Sequence, residues 1–146
     1  MQKFRFRLDS VLRLRTLQLT VEREKLGCAL GEATAAEQAL TALAAERAAA
    51  VAFVQNETGT GTTELHALSD YLLGYEPNHN KLRISLEAAR LRVTEQRKRV
   101  VAADRAERLL LKLKADRLAE WQLAADHELE TLAQESWNAV HFNHDA

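Results

Sequence analysis

Turn-forming residues in this chain are nearly confined to one short region. Three of the five glycines, Gly59, Gly61 and Gly74, and the only proline, Pro77, fall within 19 residues of one another. Elsewhere the chain has almost nothing to stop a helix, because Gly and Pro are the strongest local breakers. Long segments on either side must therefore run uninterrupted. Twenty-five alanines, 28% charged residues and only 5% aromatics point the same way, since Ala, Leu, Glu, Lys and Arg are the strong helix formers. Sheets draw on β-branched and aromatic residues, so β-sandwiches and Rossmann-type folds are excluded.

The apolar period then specifies the kind of helix. Leu12, Leu19, Leu26, Ala33, Leu40, Arg47 and Val54 recur every seven residues. Leu8, Ala29, Ala36, Leu43 and Ala50 supply a companion row, which Arg15 and Glu22 interrupt. A heptad stripe this long predicts a coiled coil rather than a globular amphipathic helix. The first helix is expected over about 8–55, roughly 70 Å at the usual rise, with Asp9 or Ser10 as its N-cap. Gly27 and Gly31 share a face and are expected to mark close helix approach, or else a hinge.

A bend with a short helix, carrying Leu65, Leu68 and Leu72, is expected over about 56–80. The second long helix is expected over about 81–137, followed by a frayed tail at 138–146. Leu82, Leu86, Ala89, Val93, Gln96, Val100 and Ala103 keep 3,4 spacing. A new row of Leu111, Leu118, Ala125 and Leu132, with Ala115, Gln122 and Leu129 beside it, then suggests a stutter.

Charge fixes the direction of pairing. Residues 1–15 are net +4, 21–57 net −3, 58–80 net −3, 81–117 net +7 and 118–146 net −6. Folding the chain back at its middle sets the acidic 21–57 block against the basic 81–117 block. It also sets the basic N-terminal block against the acidic C-terminal one. Exposed pairs are individually weak, but their sign pattern sets helix orientation. The expectation is an all-α single coiled-coil domain, 1–146, whose two long helices form an antiparallel hairpin. Residues 19 and 125 are then expected to lie close together.

No enzyme motif is present. The GTGTT run at 59–63 lacks the lysine of a phosphate-binding loop. A two-helix hairpin has no enclosed cavity to tune carboxylates, so the chain is expected not to be an enzyme. No cofactor, metal or small-molecule substrate is expected. Cys28 is the only cysteine and reads as a small packing residue that suits a reducing compartment. His141 and His144 make a weak HxxH signal at the end of the chain, while His66, His79 and His127 are scattered. The net charge of −1 argues against nucleic acid, and the basic 81–117 block faces an acidic helix. No segment reads as a signal peptide or a membrane span.

Three places concentrate aromatics. Phe4, Phe6 and Leu8 alternate with Lys3, Arg5 and Arg7. They either cover the neighbouring end of the hairpin or contact a partner, whether protein, nucleic acid or lipid. Tyr71, Leu72, Leu73 and Tyr75 sit near the bend, and Trp121 and Trp137 lie on the second helix. Each group reads either as packing or as a binding anchor.

Phe4-Arg5-Phe6-Arg7-Leu8 followed by Val11-Leu12-Arg13-Leu14-Arg15 resembles the opening of the flagellar FliJ family, F-x-F-x-L-x-x-V-L-x-x-R. Glu22 and Glu24 stand where that family tends to have Glu. The stretch Leu113-Lys114-Ala115-Asp116-Arg117-Leu118-Ala119-Glu120-Trp121 is similar to its basic-acidic run ending in an aromatic. His127-Glu128-Leu129-Glu130-Thr131-Leu132-Ala133 resembles its K-E-L-D-E-x-A segment, with His127, Glu130 and Thr131 as departures. The resemblance implies a two-stranded antiparallel coiled coil similar to the central stalk of rotary ATPases. It implies a cytoplasmic component of flagellar type III export, peripheral at the inner membrane. Its partners would be a hexameric flagellar export ATPase, a membrane export gate protein and export chaperones. Phe4, Phe6, Leu8, Arg15 and Trp121 would face the ATPase ring, and Tyr71, Leu72 and Tyr75 the gate or chaperones. An injectisome stalk of the same type and a generic coiled-coil scaffold are the alternatives.

Overall fold

The computed structural model describes residues 2–56, 59 and 61–142. Among them there are two helices packed against each other and no strand: α1, Asp9–Asn56, and α2, Thr62–Phe142. The chain divides into two compact units, residues 1–19 with 102–146 (unit 1) and residues 20–101 (unit 2).

In unit 2 the partners step backwards along α2 as they step forwards along α1, so the helices are antiparallel. Gln96 meets Glu22, Arg92 meets Glu32 at 3.3 Å and Arg90 meets Glu37 at 3.8 Å. Further along, Arg47 lies over Tyr75. The cross-helix ion pairs join the acidic and basic blocks as their charges predict. Leu86, Ala89 and Val93 are buried and form the tightest part of the seam, with Gln96 one turn on. Val51 apart, the less exposed positions of α1 in this unit are Glu22, Leu26, Ala29, Ala33, Ala36, Leu40, Leu43, Ala50 and Val54. These are the heptad rows read from the sequence.

Glu22, which interrupts the companion row, and Arg47, the charged member of the other row, have partners across the helix pair. Gln96 Nε2 donates to the Glu22 carbonyl at 3.0 Å and also to the Glu22 carboxylate. The Arg47 guanidinium lies 5.0 Å from the Tyr75 ring centre, a cation–π arrangement. His79 stacks on the same tyrosine at 5.6 Å.

Unit 1 is antiparallel by the same test. Lys114 Nζ meets Asp9 Oδ1 at 2.9 Å, and Trp121 Nε1 donates to the Gln2 carbonyl at 3.2 Å. Leu12, Leu19 and Ala125 are its buried apolar residues. This register puts residue 125 a turn beyond the partner of Gln2, not beside residue 19 as expected. The expected row shift also takes a different form. Among the less exposed positions the row Ala103, Glu107, Leu110, Lys114, Leu118, Trp121 and Ala125 runs with one added four-residue step, and Asp104, Ala106 and Leu113 lie beside it. Leu111, Leu129 and Leu132 are exposed. The insertion is a stutter, but it falls after Lys114.

Four further expectations are corrected. The short helix over 56–80 is not separate, because α2 starts at Thr62 and carries Pro77 in its interior. A proline there removes one backbone donor and leaves the carbonyl four residues earlier, at Leu73, without its helical partner. Leu73 is exposed, so water can satisfy it. The row Leu68, Leu72, Tyr75, His79, Leu82 and Leu86 keeps its 3,4 spacing through the proline. Seam packing therefore holds the helix where propensity would break it. At the other end α2 continues through Phe142, so residues 138–142 are helical; residues 143–146, with His144, lie outside the described residues.

The Leu8 carbonyl accepts the first helical bond, from Leu12 N at 2.9 Å, so Leu8 occupies the cap position of α1. Asp9, one residue inside, is instead drawn to Lys114 and Arg13. Gly27 and Gly31 lie between seam positions, and a Cβ at either would meet nothing within 4 Å. They mark no close approach of α2. Gly59, in the connection, has φ +109°, a conformation that favours glycine. Glu64 then places an acidic side chain in the first turn of α2, where the helix dipole favours it.

Candidate functional site

In unit 1 the residues ahead of α1 are not helical. They lie along α2 as a strap. Phe4 packs on Trp121 with ring centres 6.0 Å apart and planes tilted by 57°, a favourable edge-type contact. The Trp121 indole donates to the Gln2 carbonyl, which pins the strap at its first described residue. Lys114 Nζ lies 6.0 Å from the Phe6 ring centre while it bonds Asp9. Lys114 therefore ties the strap, the first turn of α1 and α2 together.

Between strap and helix is an open cleft walled by Phe4, Phe6, Leu8, Leu113 and Trp121, with Lys3, Arg5, Arg7 and Arg117 at its edges. Arg117 is paired with Glu120 at 3.0 Å. Lys3, Arg5 and Arg7 make no ion pair among the described residues. Asp9 is held below its ordinary value of 3.8, first by the hydrogen bond from Lys114 and then by the charges of Lys114 and Arg13, against some desolvation. The anion is thereby matched to its cations at ordinary pH.

The structure thus brings Phe4, Phe6, Leu8 and Trp121 together. Arg15 is also in unit 1, but it is exposed and bonds Gln18 at 3.1 Å rather than lining the cleft. The sequence reading did not single out Leu113, Lys114 or Arg117 as site residues. The available signal was spacing, because Leu113, Arg117 and Trp121 recur every four residues and so share a helix face.

The second expected group lies in unit 2. Tyr71 is at the edge of exposure, Leu72 is half-buried and Tyr75 is buried between His79 and Arg47. Leu73, Leu65 and Phe53 are the strongly exposed apolar residues in this part of unit 2. Tyr75 is therefore a packing residue in this chain, and the accessible surface beside it belongs to Tyr71 and Leu73.

Cys28 is exposed, and His141 Nδ1 is 3.0 Å from the Trp137 carbonyl while its ring stacks on the indole. Among the described residues no three His, Cys, Asp or Glu side chains converge as a metal set would. Among them, too, no helix is long and apolar enough to cross a membrane. What the two candidate surfaces offer is apolar area bordered by charge, which suits binding to macromolecules.

No curated protein and no solved structure matches the chain. A family profile described as "Flagellar FliJ protein" matches residues 4–130, which include the strap from Phe4 onward, Trp121 and both helix seams. The chain belongs to the flagellar FliJ family, and with it to the flagellar type III protein export apparatus.

Proposed function

We propose that this protein is a non-enzymatic coupler of flagellar export that works between the hexameric export ATPase and the membrane export gate and escorts export chaperones. It acts in the cytoplasm, peripheral to the inner membrane. The ATPase-facing surface is the one in unit 1, with Phe4, Phe6, Leu8, Arg15 and Trp121. The gate- or chaperone-facing surface is the one around Tyr71 and Leu72, with Tyr75 supporting it from beneath.

One observation carries the reading. Phe4 braces the strap against Trp121 and leaves Leu8 exposed at the start of α1. A fixed apolar surface bordered by cations can grip a partner without reorganising first. The test is stimulation of ATP hydrolysis by the cognate export ATPase. Phe4→Ala with Leu8→Ala is expected to reduce stimulation and co-purification, while helicity stays unchanged. Full stimulation by a still-folded double variant would place the ATPase contact elsewhere.

A further inference from the structure

Unit 1 carries two exposed surfaces of opposite charge. One is the cleft under the strap, with Lys3, Arg5 and Arg7 at its edge. The other is the last part of α2. From Asp126 to Phe142 every residue is exposed, yet most of the apolar ones, Phe142 apart, are not scattered. At 3.6 residues per turn, Leu129, Leu132, Ala133, Trp137 and Val140 share one face. Leu129 is 62% exposed and Trp137 is 61% exposed. Glu128 and Glu130 flank that face on its two sides, and Asp126 stands at its beginning. Among the described residues these acids, like the three strap cations, make no ion pair.

An amphipathic helix with a bare apolar face calls for a groove to cover it. The strap cleft has the apolar wall and the opposite charge. The two cannot meet within one chain. Gln2 is pinned at Trp121, whereas the apolar face begins two turns further on at Leu129. We infer that the acidic segment 126–142 of one copy docks in the basic, aromatic strap cleft of a second copy. A two-fold arrangement makes this contact twice, each copy giving its helix and receiving the other's. This does not depend on the proposed coupling role, and its test contains no ATPase.

The experiment is sedimentation velocity of the full chain from about 1 to 100 μM at low and at 0.5 M salt, with two charge-reversed variants. The first is Lys3→Glu/Arg5→Glu/Arg7→Glu. The second is Glu128→Lys/Glu130→Lys/Glu135→Lys. All six positions are exposed, and circular dichroism checks that helicity is retained. The unmodified protein is expected to dimerise, and more weakly at high salt. Each variant alone is expected to dimerise at least tenfold more weakly. An equimolar mixture of the two is expected to dimerise again, because each acidic strap then meets a lysine-bearing helix. A monomer throughout the range at low salt would overturn the proposal. So would a dimer that ignores both reversals, or a mixture that stays monomeric.

Discussion

The seam of unit 2 makes a prediction in which one substitution has two opposite outcomes. Leu86 is 5% exposed and Leu91, on the same helix, is 67% exposed. Leu→Ala removes three carbons at either place. At roughly 0.8 kcal/mol per buried CH₂, Leu86→Ala forfeits about 2.4 kcal/mol of transfer free energy. The further cavity cost is small, because a seam between only two helices opens to solvent and collapses readily. Alanine's better helix propensity returns a few tenths. The net expectation is about 2 kcal/mol of destabilisation for Leu86→Ala and within about 0.5 kcal/mol of zero for Leu91→Ala. Urea denaturation followed at 222 nm reads both, and amide exchange at residues 86–96 reads the local effect. Equal losses at both positions, or a larger loss at Leu91, would mean that the buried face of α2 has been misassigned.

Gly27→Ala and Gly31→Ala are each expected to stabilise α1 by about 0.5–1 kcal/mol, since a Cβ meets open space and the helix gains propensity; a lower melting temperature would show that a close neighbour exists there. Asp9 has a folded value below its unfolded one, so its contribution is complete above about pH 4 and is lost as pH falls through the folded value. Acid titration followed by Trp121 fluorescence should therefore show loss of strap contact below about pH 4, and Asp9→Asn should remove that step; an unchanged profile would refute the Lys114 tie. Gln96→Ala removes the cross-helix donor to Glu22, whose carboxylate keeps Lys25 at 3.8 Å, and is expected to cost about 1 kcal/mol in denaturant unfolding.

Much of this architecture was legible because a coiled coil writes its buried face directly into the chain. The rows Leu26, Ala33, Leu40 and Leu82, Leu86, Ala89, Val93 need only a period to be read. Direction was legible from charge, and Glu32–Arg92 and Glu37–Arg90 realise it. What was missed follows from competition between local and longer-range terms. Pro77 and Gly74 are strong local breakers, but Leu72, Tyr75, His79 and Leu82 keep the seam in phase across them. Asp9 is a good cap by type, but Lys114 recruits it from 105 residues away. Trp121 was visible as an anchor from its type, whereas its partner in the strap depends on register. A register offset, here about three heptads between residue 125 and the expected place beside residue 19, cannot be read from charge blocks that are many residues long.

The same geometry explains why an otherwise well-formed fold leaves so much apolar surface. Two helices give each other one stripe apiece, so among the described residues most helix positions off the seam stay exposed, apart from those beside the strap in unit 1. In unit 2 this limits the tightly packed side chains to Tyr75 and a few around Leu86, Ala89 and Val93, and in unit 1 to Leu12, Leu19 and Ala125. Leu14, Leu17, Leu123 and Leu129 in unit 1, and Phe53, Leu73 and Leu91 in unit 2, add nothing comparable to folding where they stand. Substituting them with alanine should leave stability nearly unchanged. Their loss would then be felt in association, and measuring stability and binding on the same variants separates residues that hold the helices together from residues that hold partners.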